Sequence, residues 1–401
     1  MPRKVLIIGA GPAGTACALE LHRLGHDVTV IDKAVFPRDK CCGDGLTTNA
    51  LRRLDELGLD PKKMAGWRDT RDVRIRTPKG SDISLSLPDG PGKFAAIVPR
   101  MDLDHALVEH CRDSGIPVME GCTFEEVRVN DSERVVVRVD GFGDASADWV
   151  VAADGMWSPV RKSLGMSTPG YLGDWHAFRQ YVDHVTGPAA DTLHIWFDED
   201  LLPGYAWSFP LPNGSVNFGV GILRREDQGT KWMNDLWRDL FTRPHIVEAL
   251  GAGFEPRGRH TAWPIPARID SAVRSAGRVL FVGDAVCATD LLTGEGIGQA
   301  LESGMAAARA IDGGTSTADV RQRYSRLLDG LLLADHRMSK TLGRVLASAR
   351  GAELALWLVN RNDWTRRNFT RWMFEDEPRA VALTPRRWHR KFLRRPGAYA
   401  D

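Results

Sequence analysis

The chain has 401 residues, of which 43% are hydrophobic and 26% charged, and its formal net charge is +1. The length and composition indicate a globular protein of at least two domains. The charge lacks the positive excess of a nucleic-acid-binding protein, and no apolar run approaches the roughly 20 residues of a membrane span. The six cysteines are scattered except for one adjacent pair, which is typical of a reducing compartment. We therefore expect a cytoplasmic protein without a signal peptide, and no spacing of His, Cys and carboxylates predicts a metal site.

The chain opens on an apolar strand, Lys4–Ile8, that runs into a glycine-rich turn and a helix. Gly9 permits the tight turn, Gly11 lets the backbone approach a pyrophosphate, and Gly14 lets the helix pack on the strand. The next strand ends at Asp32, where an acidic residue binds a ribose hydroxyl and disfavours the 2′-phosphate of NADP. The residues assigned to a dinucleotide here are Gly9, Gly11, Ala13, Gly14, Asp32 and Lys33.

Two further apolar strands end in glycine and aspartate. Val150–Ala153 leads into Asp154-Gly155, and Val279–Val282 leads into Gly283-Asp284. A glycine-rich segment follows, Thr293-Gly294-Glu295-Gly296-Ile297-Gly298. Each motif is weak alone, but together with the first one, and in this order, they predict a flavin held between the two ends of the chain.

The pattern between these motifs is discontinuous. Alternating, strand-like stretches such as Asp72–Arg76 and the aromatic-rich stretch before Pro266 interrupt the helix-and-strand pattern of the cofactor-binding parts. We predict an α/β protein with a doubly wound Rossmann-type FAD domain, an inserted β-sheet substrate domain and a C-terminal helical region. The predicted ranges are 1–65, 99–170 and 266–315 for the FAD domain, 66–98 and 171–265 for the substrate domain, and 316–401 for the helical region.

Three segments make the chain similar to a known family. Lys40-Cys41-Cys42-Gly43-Asp44-Gly45 resembles a Lys-x-Cys-Gly-Asp-Gly motif, and Tyr205–Pro210 resembles a Tyr-x-Trp-x-Phe-Pro motif that Asn217–Gly221 follows. Thr293–Ile297 resembles a flavin-contacting loop. All three are typical of the geranylgeranyl reductase family, a branch of the FAD-dependent flavoproteins that include aromatic hydroxylases such as para-hydroxybenzoate hydroxylase and flavin halogenases.

The resemblance implies several cofactor contacts. Arg100 would contact the flavin from a helix start, and Val127 would meet the adenine through its backbone. Asp284, next to Gly283, would bind the ribityl-pyrophosphate side of the cofactor. Asp154 belongs to a structural segment that these flavoproteins share, and whether that segment contacts the cofactor directly varies among them. The backbone of Gly294, Gly296 and Ile297 would face the isoalloxazine ring.

Cys42, Tyr205 and Trp207 are the candidate catalytic residues. Lys40 lies two residues before Cys42, and a nearby positive charge lowers the pKa of a thiol; the alternative is a packed side chain. By strand alternation Tyr205, Trp207 and Phe209 share one face. Such a face usually belongs to the core, but the resemblance implies that it lines a cavity for a bulky apolar substrate.

Two features depart from the family pattern. Leu291, preceded by Asp290, stands where the family has a proline that shapes the flavin loop. Residues 361–395 contain eleven Arg and Lys against four Asp and Glu. A basic, tryptophan-containing tail is most often a solvated helical surface, but it also suits peripheral contact with an anionic membrane.

The function predicted first is an FAD-dependent reductase that saturates a carbon–carbon double bond of an isoprenoid or terpenoid by hydride transfer from flavin N5. The alternative is a flavin monooxygenase that hydroxylates or epoxidises a terpenoid or aromatic natural product through a C4a-hydroperoxide. A halogenase using Lys79 and an FAD carrier without turnover are also open. Without a second Gly-x-Gly-x-x-Gly motif, NAD(P)H would dock transiently, or a partner reductase would supply the electrons.

Overall fold

The computed structural model describes residues 1–60, 63–87, 94–129 and 134–388. The basic residues beyond position 388, which belong to the predicted tail, lie outside this range. None of the described helices combines the length and apolar character that crossing a bilayer would require.

The strands within the described residues are β1 (Lys4–Ile8), β2 (Asp27–Ile31), β3 (Gly45–Thr47), β4 (Arg68–Asp69), β5 (Asp72–Arg76), β6 (Asp82–Ser86), β7 (Ala95–Ile97), β8 (Val118–Met119), β9 (Thr123–Val129), β10 (Val135–Asp140), β11 (Gly143–Ala147), β12 (Trp149–Ala152), β13 (Trp175–Asp183), β14 (Leu193–Trp196), β15 (Tyr205–Pro210), β16 (Val216–Leu223), β17 (Glu255–Pro256), β18 (Thr261–Ile265), β19 (Ser275–Ala276) and β20 (Val279–Phe281). The α-helices are α1 (Pro12–Arg23), α2 (Thr48–Glu56), α3 (Arg100–Asp113), α4 (Pro159–Ser163), α5 (Thr230–Leu240), α6 (Pro244–Leu250), α7 (Ile297–Gly313), α8 (Thr317–Leu328), α9 (Ala334–Leu346), α10 (Ala349–Val359) and α11 (Asp363–Met373).

The first sheet has the order β19-β20-β12-β1-β2-β8 and is parallel except for its edge strand β19. Its central strand β1 is apolar on both faces because helices cover the sheet, and its residues Val5 to Ile8 are all buried. The helices α1 and α7 can come close to each other because Gly304 has no side chain; a Cβ there would collide with the backbone of Ala13. This arrangement confirms the predicted doubly wound domain.

The second large sheet has the order β17-β13-β16-β15-β14-β5-β6, and β18 pairs with β13. Its strands come from residues 72–86 and 175–265, which the cofactor-binding sheet's elements separate along the chain. Alternate residues of β13 face opposite sides: Phe178 packs in a core with α5 and α6, whereas Ala177 lines a cavity. The exact domain boundaries stay a prediction.

The C-terminal region is helical from α8 to α11, as expected. Leu356 of α10 and Phe374, just after α11, are buried in a third core together with Val73 and Leu85 of the second sheet. The tail is therefore packed onto the substrate domain, on the side of the sheet that faces away from α5 and α6.

Candidate active site

One cavity of about 1110 Å³ runs between the two large sheets and is closed on one side by the C-terminal helices. Its wall includes Gly9 and Asp32 at the ends of β1 and β2, Trp207 in β15, and Leu356 in α10. The cavity is therefore continuous from the predicted dinucleotide turn to the C-terminal helices, and it has room for a large ligand.

The β1–α1 turn has the geometry that the motif predicts. Gly9 has φ +108°, and a Cβ there would collide with the carbonyl group of Ala153. Gly11 is open, since the nearest atom to a Cβ would be an Arg38 nitrogen 3.8 Å away. Gly14 does not line the cavity; a Cβ there would collide with the carbonyl oxygen of Gly9. Ala13 lines the cavity in the first turn of α1, whose N-terminal N–H groups suit a phosphate.

Asp32 lies at the end of β2, as predicted. Its Oδ2 accepts a hydrogen bond of 2.7 Å from Ala10 N, and its Oδ1 accepts one of 2.8 Å from Ala34 N. These bonds hold the carboxylate at the cavity wall, and the exposed Lys33 follows it there. The position suits a bond to a ribose hydroxyl.

The later glycine-rich motif, at residues 283–297, lines the same cavity wall. Gly283 has φ +59° and donates from its N–H to Ser303 Oγ at 2.9 Å. Asp284 lines the cavity, with Oδ2 3.2 Å from Lys40 Nζ and Oδ1 3.3 Å from Thr289 Oγ1. Gly294, with φ +69°, lines it too, next to Gly296 and Ile297 at the start of α7. The three motifs are thus brought together as predicted.

Asp154 and Arg100 also line the cavity, whereas Val127 is absent from its lining. Asp154 Oδ2 accepts a bond of 2.9 Å from Val160 N, its buried Oδ1 has no hydrogen-bond partner among the described residues, and burial raises its pKa to about 6. The guanidinium of Arg100 is buried against Asp104, with two contacts of 2.8 Å. The N–H of Val127 donates to Ser163 Oγ at 3.3 Å, and Phe124 of the same strand lines the cavity instead. The adenine contact of Val127 stays a prediction without support from the cavity wall.

Cys42, Tyr205 and Trp207 meet at one part of the cavity. Asn217 joins two of them, because its Nδ2 donates to Cys42 O at 2.8 Å and its Oδ1 accepts from Trp207 Nε1 at 3.1 Å. The ring centroids of Tyr205 and Trp207 are 5.9 Å apart, and the Tyr205 hydroxyl donates to Thr293 O in the loop before α7. The aromatic face of β15 therefore lines the cavity, as the resemblance implied.

Two glycines explain why the Cys-Gly-Asp-Gly segment fits against that face. A Cβ at Gly43 would be 3.3 Å from the ring of Phe209, and a Cβ at Gly45 would be 3.0 Å from it. Larger residues would push the segment away from β15. The glycines thus bring the backbone of Cys42 next to the aromatic strand.

The thiol of Cys42 is not activated. Burial raises its pKa, and the charge of Arg100 offsets only part of this effect. Lys40, which the sequence suggested as the nearby positive charge, pairs with Asp284 instead. Cys42 is therefore a neutral thiol at the cavity wall, consistent with contact to a ligand but not with a thiolate nucleophile.

Sequence reasoning missed the role of Asp44. This residue has φ +64° and is fully buried, where it accepts hydrogen bonds from Tyr181 Oη at 2.8 Å and Asn217 Nδ2 at 2.7 Å. Burial raises its pKa to about 6. Arg179 holds the same segment through Cys42 O at 3.2 Å. The sequence marked Asp44 and Asn217 as motif residues, but only the fold connects them.

Asp290 holds the loop before α7, in which Leu291 stands in place of the family's proline. Its Oδ1 accepts from Leu292 N at 2.9 Å and from Thr293 N at 2.8 Å, and its Oδ2 accepts from Ser339 Oγ at 2.8 Å. Arg379 adds an ion pair of 3.1 Å with Oδ2. Burial opposes ionisation, but Arg379 and these hydrogen bonds hold the pKa of Asp290 below its ordinary value. Side-chain bonds thus constrain the loop in which the family's proline is missing.

A pair of acids lies beside this loop, and the sequence analysis assigned neither of them. Glu295 lines the cavity and accepts a hydrogen bond of 3.0 Å from Gly298 N. Burial, followed by repulsion from Glu375, raises its pKa to about 8. Glu375 accepts from Thr47 Oγ1 at 3.1 Å and from Arg379 Nη2 at 2.8 Å. Glu295 can therefore hold a proton at neutral pH at the edge of the cavity.

The tail is less solvated than its charge suggested. The guanidinium groups of Arg371 and Arg379 are both buried, and Arg371 pairs with Asp376 at 2.7 Å and with Glu377 at 2.6 Å. Lys79, the residue a halogenase would need, is exposed on the β5–β6 turn and is absent from the cavity wall.

Comparison with known proteins agrees with this site. A family model described as an FAD binding domain matches residues 3–316. The menaquinone reductase of Mycolicibacterium smegmatis is 34% identical over 369 residues, which is 86% of this chain and 85% of that protein. The digeranylgeranylglycerophospholipid reductase of Methanothrix thermoacetophila is 26% identical and covers 90% of this chain and 88% of its own length. The chain belongs to the geranylgeranyl reductase family.

The fold of this family member agrees with a solved structure as well. A geranylgeranyl bacteriochlorophyll reductase-like protein from Thermoplasma acidophilum has a TM-score of 0.77 at 20% identity, with 96% of this chain and 99% of that chain covered. The predicted family, the fold class and the FAD-dependent oxidoreductase activity are thereby confirmed. The tight turn at Gly9, the open backbone at Gly11, and the buried Oδ1 of Asp154, to which no described residue donates a hydrogen bond, fit the cofactor.

Proposed function

We propose that this flavoenzyme saturates a carbon–carbon double bond in the isoprenoid part of a lipid such as menaquinone. The observation that carries the proposal is the continuous cavity in which the FAD-binding elements adjoin an aromatic and aliphatic wall. An apolar chain would be desolvated along this wall. The 34%-identical menaquinone reductase supports this class of substrate, since menaquinone carries a polyisoprenoid side chain.

The chain's own residues have distinct tasks in this proposal. Gly9, Gly11 and Asp32 hold the dinucleotide part of FAD, and Asp284 holds its central part. Reduced FAD supplies a hydride when it is bound. Tyr205 and Trp207 orient the isoprenoid chain and exclude water.

Glu295 supplies the proton that completes the reduction. With a hydride added to one alkene carbon and this proton added to the other, two C–H bonds would replace the π bond, the C–C single bond would remain, and the carboxyl of Glu295 would become a carboxylate. Glu295 lines the cavity, and its carboxyl is protonated at neutral pH because its pKa is about 8. NAD(P)H that docks transiently, or a partner reductase, would supply the electrons for the next turnover.

The test uses photoreduced holoenzyme and menaquinone in detergent, without oxygen, followed by mass spectrometry after exposure of the product to air. A saturated side chain keeps its two added hydrogens after air oxidation, whereas a merely reduced quinone ring loses them. A product two mass units heavier after air exposure supports the proposal. A return to the original mass, or a product one oxygen heavier when oxygen is admitted, contradicts it, and the latter supports the monooxygenase alternative.

A further inference from the structure

Helix α10 has an apolar outer face. Leu354, Trp357 and Leu358 are 58%, 52% and 52% exposed, and their spacing of three and four residues places them side by side on one face of the helix. The guanidinium of Arg361 lies 4.8 Å from the ring of Trp357. Single exposed apolar residues are common, but three adjacent ones next to a cation form a defined surface.

The opposite face of α10 forms part of the cavity wall. Ala352, Ala355, Leu356 and Val359 all line the cavity, and Leu358 lines it while also being more than half exposed. The outer apolar face is therefore adjacent to the edge of the cavity.

The end of α9 repeats this arrangement. Leu346 lines the cavity, and its neighbour Val345 is 50% exposed. Two consecutive helices thus combine an inner wall that faces the cavity with exposed apolar residues outside it. We refer to Val345, Leu354, Trp357 and Leu358 as the outer patch.

The charge around the outer patch is positive. Residues 341–370 contain five arginines and two acidic residues. Arg344, Arg350, Arg361 and Arg367 are all exposed. One of the two acids, Glu353, accepts a hydrogen bond of 3.3 Å from Lys79 N. Exposed aromatic and aliphatic side chains in a segment rich in arginine complement a surface of anionic headgroups above an acyl layer.

We propose that the outer patch docks the enzyme on an anionic lipid bilayer, with the adjacent edge of the cavity facing the acyl layer. This inference rests on the proposed function for the direction of transfer, since a substrate dissolved in the bilayer would enter the cavity without crossing water. The docking itself depends only on the exposed residues and their charge.

The test measures flotation of the full-length FAD-loaded enzyme with vesicles of phosphatidylcholine, with and without phosphatidylglycerol. The wild type should bind the anionic vesicles, and binding should weaken as salt is raised. The double variant Leu354→Ser/Trp357→Ser should bind about tenfold more weakly, because two apolar side chains that enter the interface are lost. A second variant, Arg350→Glu/Arg361→Glu, should lose binding to the anionic vesicles while its flavin spectrum is unchanged.

Phe142→Ser is the matched control, because Phe142 is 45% exposed on the β10–β11 turn, which belongs to the first, cofactor-binding half of the fold. It should bind like the wild type. The proposal would be overturned if the wild type did not bind the anionic vesicles, or if both patch variants bound them as strongly as the wild type. A wild-type dimer that the patch variants abolish would also overturn it, in favour of a second copy as the occupant.

Activity on two substrate forms separates this proposal from the proposed function. Menaquinone held in vesicles should be reduced about tenfold more slowly by the patch variants, in step with their weaker binding, while menaquinone in detergent should be reduced at the wild-type rate. Vesicle binding without turnover in either form would leave the docking surface standing and would reject the proposed function. Turnover in both forms with no vesicle binding would reject the docking surface alone.

Discussion

The ion pairs of Arg379 connect the C-terminal tail to the loop before α7, and Arg379→Met tests whether they stabilise it. The guanidinium is 2% exposed and pairs with Asp290 at 3.1 Å and with Glu375 at 2.8 Å, and it also donates to Thr293 Oγ1 at 3.0 Å. Methionine keeps much of the aliphatic stem but leaves two buried carboxylates without their cation. Breaking a buried pair in this way costs about 3–5 kcal/mol.

We expect the free energy of unfolding of the Arg379→Met holoenzyme to fall by about 3–5 kcal/mol at pH 7. Arg379 holds the pKa of Asp290 below its ordinary value, so this contribution to stability is complete above the pKa of the unfolded carboxyl and is lost as the pH falls through the folded one. The difference between wild type and variant should therefore persist as the pH is lowered from 7 and shrink only below 3.8, the ordinary pKa of the carboxyl. Retention of FAD should also fall, because Asp290 no longer has its cation.

Urea titration followed by circular dichroism and flavin fluorescence measures both effects. Arg367→Met is the control, because Arg367 is an exposed arginine of the same tail, and its effect should stay within about 0.5 kcal/mol. A loss below about 1 kcal/mol for Arg379→Met, with normal FAD retention, would refute the idea that the tail stabilises the flavin loop.

Three further changes test the site. Asp32→Ala should lower FAD retention, since it removes the carboxylate placed for the ribose; unchanged occupancy in gel-filtered enzyme would contradict that assignment. Cys42→Ser should lower turnover while FAD stays bound, and normal turnover would reduce Cys42 to a packing residue. Wild-type turnover should fall about tenfold per pH unit above pH 8, the pKa of Glu295. The variant Glu295→Gln should turn over slowly, and its rate should not fall above pH 8. A fast variant with the wild-type pH profile would exclude Glu295 as the proton source. Since folding raises this pKa, ionisation destabilises the wild type as the pH rises from about 5 through 8, and the Gln variant should avoid that loss.

The cofactor-binding half of the site could be predicted from the sequence because its signals are local. A strand, a tight glycine turn and a helix N-terminus follow each other directly at Gly9–Gly14, and the acid that ends the next strand is Asp32. The strands after which Asp154 and Asp284 stand are parallel neighbours, so their carboxyl ends meet at one edge of the sheet. The aromatic alternation in Tyr205–Pro210 predicted one shared face by the same local geometry.

Long-range packing decided the rest. Arg371 and Arg379 count as positive charge in the sequence, yet the fold buries both against carboxylates. Lys40 is close to Cys42 along the chain but pairs with Asp284, so that burial determines the state of the thiol.

The sequence by itself determined the family, the flavin and the order of the motifs, because these depend on backbone geometry over a few residues. Only the tertiary structure decided which charges are paired, that Glu295 lies next to a second acid from the tail, and that α10 has a cavity face and an outer face. These properties arise between residues that are distant in the chain, and their electrostatic effect depends on how much water the fold removes from around them.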